Sequence, residues 1–303
     1  MMTLRTLTIE AARVGVWQRL MDYLALMKPR MVLMILAVTM AGFYMGALGT
    51  PEWTRLLHLL VGVALTAGGT LALNQYIERQ EDALMPRTQS RPLPDGRVQP
   101  LSAWWLGVVV TSVGLLYLVL TVHIFAVLVT ALTTVSYLFW YTPLKRKTSL
   151  CSFVGAIPGA LPPVTGWVAA RGAFTSEVWV LFAILFLWQL PHSLAIAWLY
   201  REEYARAGFR LLPVLYPDGH STARQIVTNS LALLAVGLLP TLIGLTGPFY
   251  FVAMLILGLG FLGFGVHVAL ARTAAAARRL LLVSLIYLPL AFLLMVLDKI
   301  PTP

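Results

Sequence analysis

Long apolar runs alternate with shorter polar segments along the chain. The runs cover 31–49, 56–77, 101–121, 123–142, 150–170, 176–200, 225–245, 248–270 and 279–298. Each is close to the ~20 residues that a helix needs to cross a hydrocarbon layer of about 30 Å. A membrane β-barrel would show shorter strands of alternating polarity instead. The pattern predicts an all-α, polytopic membrane protein with nine transmembrane helices. Pro158, Pro162, Pro163 and Pro191 fall inside runs. Membrane helices tolerate proline where neighbouring helices satisfy the freed backbone groups.

Composition agrees with that pattern. Of the 303 residues 59% are hydrophobic and 11% charged, with a mean hydropathy of +0.82. Soluble domains carry roughly 25% charged residues, so a soluble enzyme, a disordered chain and a disulfide scaffold are excluded. The lone Cys151 builds neither an internal disulfide nor a thiolate metal cage. The first residues, with Arg5, Glu10, Arg13 and Arg19, are too polar and too extended to resemble a cleaved signal peptide. Residues 1–27 are therefore expected to be a cytoplasmic lead segment, and 28–303 a single transmembrane domain.

The formal charge of +10 invites a nucleic-acid reading, but its distribution gives a better one. The N-terminal segment and the loops after spans 2, 4, 6 and 8 hold 19 of the 22 basic residues. Only Arg55, Arg171 and Lys299 fall on the other side. Lysine and arginine hold loops on the cytoplasmic side, so no nucleic-acid partner is expected. The N-terminus is placed in the cytoplasm and the C-terminus across the membrane, with lipid as the surrounding partner.

Acidic residues follow the same partition. The loops 78–100 and 201–224 carry most of them, and both are longer than a simple connection needs. After span 2, Asn74, Glu78 and Asp82 stand at i, i+4 and i+8, which lines one helical stripe. After span 6, Glu202 and Glu203 stand at a second helix end; being adjacent, they point about 100° apart. Hard oxygen ligands beside basic residues suit Mg²⁺ bridging to a diphosphate. The basic partners are Lys28 and Arg30 at the mouth of span 1, Arg87 and Arg91 in the first long loop, and Lys145, Arg146 and Lys147 after span 4. The plain alternatives are a solvated acidic face and a topology-anchoring basic run. His192 lies inside span 6, where a histidine is a functional hypothesis. Its alternative is a hydrogen bond to a carbonyl freed by Pro191. His123 and His267 read as structural.

At these residues a resemblance enters. The run from Asn74 through Glu78 to Asp82, followed by Arg87-Thr-Gln-Ser-Arg91-Pro-Leu-Pro, resembles the first acidic signature of the UbiA-type intramembrane prenyltransferases. The segments 141–148, 155–167, 188–192, 201–208 and 211–214 are similar to the branch of that superfamily that farnesylates protohaem IX. The resemblance implies a helical bundle around a central cavity opening near the cytoplasmic side of the cell inner membrane. It implies transfer of farnesyl from farnesyl diphosphate to a vinyl group of haem b, with water completing haem O, and Mg²⁺ as cofactor. It implies a first Mg²⁺–diphosphate cluster of Asn74, Glu78 and Asp82, and a second of Glu203 with Glu202. Lys28, Arg87, Arg91 and Lys145 would hold diphosphate oxygens, and His192 would contact haem. A haem A synthase or an oxidase-assembly factor is the implied protein partner. Glu78 and Glu203 stand where the superfamily commonly has aspartate, one methylene shorter.

Two rivals remain at this point. One is a UbiA-type enzyme acting on an aromatic quinone precursor. The other is a secondary transporter, although transporters place their charged groups near the midplane.

Overall fold

The computed structural model of the protein describes residues 4–301. The chain ends assigned to opposite sides of the membrane, residues 1–3 and 302–303, lie outside the described residues, as do the side chains of Arg5, Glu10 and Arg13. In chain order the helices are α1 (Leu4–Leu26), α2 (Pro29–Gly46), α3 (Trp53–Ile77), α4 (Arg79–Ala83), α5 (Pro100–Thr121), α6 (Ile124–Val135), α7 (Thr142–Leu144), α8 (Cys151–Ala160), α9 (Pro162–Arg171), α10 (Val178–Leu199), α11 (Arg201–Arg206), α12 (Leu212–Leu215), α13 (His220–Leu242), α14 (Pro248–Ala271) and α15 (Ala274–Leu297). A π-helical turn, Ser136–Tyr141, joins α6 to α7.

Among the described residues nine helical units are long and apolar enough to span a membrane, and they match the nine predicted runs. Two units are compound: α6, the π turn and α7 form the fourth, and α8 with α9 form the fifth. Proline explains the second break, because Pro162 opens α9 without needing a donor N–H. Large apolar side chains such as Leu33, Leu120, Ile256 and Leu270 face outward, as expected where lipid is the solvent.

Close backbone approach holds the bundle together, since lipid gives helices little hydrophobic reason to associate. The α2–α9 pair is the clearest case. A Cβ on Gly42 would overlap the Pro163 carbonyl, and one on Gly166 would overlap the Thr39 carbonyl. Backbone does not yield as a side chain end does. Gly42→Ala is therefore expected to destabilise the bundle by about 3 kcal/mol, the upper end for overpacking. A drop in the thermal midpoint in detergent checks this. Gly260→Ala, which meets nothing within 4 Å, should leave that midpoint in place.

From Leu4 to Leu26 the lead segment is helical, and its end is docked. Leu26 is fully buried, with Tyr23 beside it, against Ala72, Leu93, Val98 and Ala103. Asp22 is buried and pairs with Arg97. Gln75 donates to the Leu26 carbonyl at 2.6 Å. The chain thus enters α2 fixed against α3 and the first long loop.

Candidate functional site

The site begins where α3 ends. The sequence predicts Asn74, Glu78 and Asp82 on one helical stripe, but α3 stops at Ile77 and Glu78 sits at a break (φ −92°, ψ 11°) before α4. The stripe survives because backbone bonds run through the break. Glu78 N–H donates to the Asn74 carbonyl at 2.9 Å, and Asp82 N–H to the Glu78 carbonyl at 2.8 Å. All three side chains are buried, with exposures of 2%, 7% and 3%.

Buried carboxylates need partners. Glu78 Oε1 accepts from Lys145 Nζ at 2.7 Å, and Asp82 Oδ2 accepts from Arg91 Nη1 at 2.6 Å. Asn74 Nδ2 donates to Thr142 Oγ1 at 3.1 Å. A solvated face does not describe these acids, since they are inside and paired to the predicted bases. Sequence reasoning missed a third pair, Glu81 with Arg146. Glu81 is buried, and its Oε2 has no hydrogen-bond partner.

The π turn places Lys145. It brings Tyr141 under the lysine, with Nζ 4.5 Å from the ring centroid. Gly155 makes room for that ring, since a Cβ there would stand 2.5 Å from it. Arg210 N–H donates to the Lys145 carbonyl at 2.7 Å, tying this loop to the one after α11. Burial opposes the Lys145 charge, but the facing Glu78 carboxylate contributes to holding its pKa well above the ordinary lysine range.

Lys28 behaves in the opposite way. It stands just before α2 in a left-handed conformation (φ 49°). Burial, reinforced by the positive charges of Arg91 and Lys145, lowers its pKa from 10.5 to about 8. It is charged below that value and neutral above it. If its charge helps hold an anionic substrate, the KM for that substrate rises as pH passes about 8. Lys28→Arg, protonated throughout, should flatten that rise in a KM–pH profile.

The second acidic segment meets the first through Arg87. Its backbone N–H donates to Glu203 Oε2 at 3.4 Å, and its Nη2 donates to the Tyr204 hydroxyl at 3.1 Å. The guanidinium also lies 4.7 Å from the Tyr200 ring centroid. Below, Met85, Ala207 and Phe209 form a small apolar cluster that fastens the two loops. Glu203 is half-buried, while Glu202, expected as a further ligand, is exposed. Neighbours on a helix diverge by about 100°, so one of the pair faces solvent.

The donor set fits Mg²⁺ of the substrate-bridging kind. It is oxygen-only, and among the described residues no three His, Cys, Asp or Glu side chains converge as a ready-made cage. Mg²⁺ is usually held by one or two carboxylates with phosphate oxygens completing the shell. Here the acids are already neutralised by lysine and arginine, which are phosphate binders themselves.

Beneath this polar rim lies a cavity of about 650 Å³. Tyr141 and Tyr204 belong to both, and Arg30 lines the cavity as well. The walls are apolar even where they carry threonine. Thr66, Thr70, Thr130 and Thr133 each donate their hydroxyl to the carbonyl four residues earlier, at 2.7–2.8 Å. With the hydroxyls occupied, what they add to the cavity is mostly methyl surface. His192 also lines the cavity. Its Nδ1 meets Ser284 Oγ at 2.7 Å, so the alternative of a bond to a carbonyl freed by Pro191 does not hold. His123 caps α6 by accepting from Phe125 N–H, a structural role as expected.

Among the described residues six of the nine spans line an apolar cavity, and a buried rim of paired acids and bases lies beside it. The chain belongs to the UbiA prenyltransferase family, whose profile matches residues 35–294. It is 50% identical over 287 residues to the protoheme IX farnesyltransferase of Solibacter usitatus (strain Ellin6076), covering 92% of this chain and 98% of that protein. It is 42% identical over 305 residues to the protoheme IX farnesyltransferase of Koribacter versatilis (strain Ellin345), covering 97% and 98%. In fold it is similar to a UbiA homolog from Archaeoglobus fulgidus bound to GPP and Mg²⁺. The TM-score is 0.64 at 15% identity, over 90% of this chain and 99% of that one. Membership of this family sets the transporter reading aside.

Proposed function

We propose that this prenyltransferase moves the farnesyl group of farnesyl diphosphate to a vinyl group of haem b, in a Mg²⁺-dependent reaction that yields haem O. The observation that carries the reading is a pair of tyrosines shared by the charged rim and an apolar cavity. Tyr141 packs against Lys145 and Tyr204 bonds Arg87, and both line the apolar cavity that has His192 in its wall, which supports a diphosphate at the rim and an apolar body below. The 50% identity to a protoheme IX farnesyltransferase supports the same acceptor.

In the reaction the allylic C–O bond breaks and its electron pair leaves with the diphosphate. The terminal vinyl carbon forms the new C–C bond, and the carbon next to the porphyrin takes the oxygen of water, releasing one proton. Asn74, Glu78, Asp82 and Glu203 would hold Mg²⁺, which supplies charge neutralisation to the departing diphosphate. The basic residues do the rest of that work. Arg91 and Lys145 would exchange their carboxylate partners for phosphate oxygens, and Lys28 and Arg87 would join them, as preorganised groups facing a developing charge. Below them the methyl-lined walls keep water from the allylic cation. His192 would face the porphyrin.

In this reading the rim faces the cytoplasm at the cell inner membrane, which the basic loops support. Purified protein incubated with farnesyl diphosphate, Mg²⁺ and either haem b or 4-hydroxybenzoate tests the acceptor. A farnesylated haem is expected; prenylation of the benzoate alone would move the protein to the quinone-precursor branch.

A further inference from the structure

We infer that Ser284, on α15, is a positioning residue that sets the tautomer of His192 and so decides which ring nitrogen the acceptor meets. The inference deepens the haem reading and rests on it. Ser284 is fully buried, and its hydroxyl makes two close contacts. One is to the Leu281 carbonyl at 2.6 Å, and the other to His192 Nδ1 at 2.7 Å. A carbonyl only accepts, and a hydroxyl has one proton to give. That proton goes to Leu281, so the serine oxygen accepts from Nδ1–H. Nε2 is then left without a proton, its lone pair free. His192 lines the cavity and Ser284 does not, which makes Nε2 the nitrogen open to an occupant.

The same residue also fixes the neighbour of the imidazole. Trp188 Nε1–H donates to the Ser284 carbonyl at 2.9 Å. The indole stacks on the His192 ring, with centroids 4.8 Å apart and planes 20° apart. Trp188 lines the cavity as well. One serine thus holds an imidazole with an open lone pair and an aromatic face beside it. That is an arrangement suited to an iron porphyrin, which takes a neutral imidazole nitrogen on the metal. A partner on the far ring nitrogen is how proteins orient metal-binding histidines and raise their basicity.

The test is a titration of ferric haem b into the purified full chain, read in the Soret band, beside KM values for both substrates. His192→Ala is expected to remove an imidazole-dependent Soret feature that the wild type shows. Ser284→Ala should keep the fold but weaken haem binding about tenfold and shift that feature, the scale seen for lost outer partners. Its KM for farnesyl diphosphate should stay within twofold. Ser284→Cys, a weaker acceptor of similar size, should fall between, and it carries the comparison if the alanine variant inserts poorly. Wild-type haem affinity and Soret position in both serine variants, with the feature lost in His192→Ala, would overturn the role of Ser284. An unchanged feature in His192→Ala would instead overturn the contact between His192 and haem.

Discussion

Asp82→Ala abolishes farnesyl transfer while the protein is still made and inserted. Asp82 is 3% exposed and paired with Arg91 at 2.6 Å. Truncation removes a carboxylate proposed to hold Mg²⁺ and frees the arginine. The Arg91 side chain is 29% exposed, so it can turn to water instead of remaining as an unpaired buried charge. No membrane span depends on the pair, so the apolar packing that sets stability is untouched. The loss therefore falls on catalysis. A fall in kcat/KM of about 1,000-fold is expected, as when a preorganised group facing the developing charge is removed. Radiolabelled farnesyl transfer in membranes, alongside the amount of inserted protein, measures both. Wild-type turnover in the variant at limiting Mg²⁺ would contradict the assignment.

Lys145→Ala raises the KM for farnesyl diphosphate by about 100-fold, the scale of losing a charge-assisted contact in a buried site. Its ammonium is 2.7 Å from Glu78 and over the Tyr141 ring, at the junction of rim and cavity. The haem side of the cavity, around His192 and Trp188, makes no contact with it in the hydrogen bonds or ring stacks described above. The KM for haem should therefore stay within twofold. Lys145→Arg keeps the charge but changes a compact point to a fork, so partial recovery is expected. Equal losses for both substrates would mean that removing the lysine had left Glu78 buried without a partner and unsettled the loop.

The nine spans were legible because a lipid solvent writes its demand directly into composition and run length. Their ends moved by a few residues: span 1 runs Pro29–Gly46, with a proline at its first position, and span 7 runs His220–Leu242, preceded by Gly219 in a left-handed conformation. Asn74, Glu78 and Asp82 were readable because their spacing is local. The same local reading missed the break at Glu78, whose side chain reaches Lys145, 67 positions away. The π turn at Ser136–Tyr141 left no mark in an apolar run, since hydropathy does not distinguish i→i+5 from i→i+4 hydrogen bonding.

Other parts of the site depend on distant contacts. Glu81 carries no signal in its own segment, because its partner Arg146 comes from the loop after span 4. Glu202 and Glu203 were indistinguishable as letters, and only the roll of α11 separates them. Ser284 carried no signal in an apolar span, because its meaning comes from His192, 92 positions earlier.

All of this rests on the rim giving up its internal ion pairs to a shared metal and diphosphate. The direct measurement is an experimental density map of the protein with Mg²⁺ and farnesyl thiodiphosphate, a slowly reacting analogue. The expected map shows a metal between the diphosphate and the Asn74–Asp82 segment, Lys145 and Arg91 turned from Glu78 and Asp82 onto phosphate oxygens, and the farnesyl chain running down past Tyr141. A diphosphate bound elsewhere, with the Lys145–Glu78 and Arg91–Asp82 pairs intact, would contradict the account.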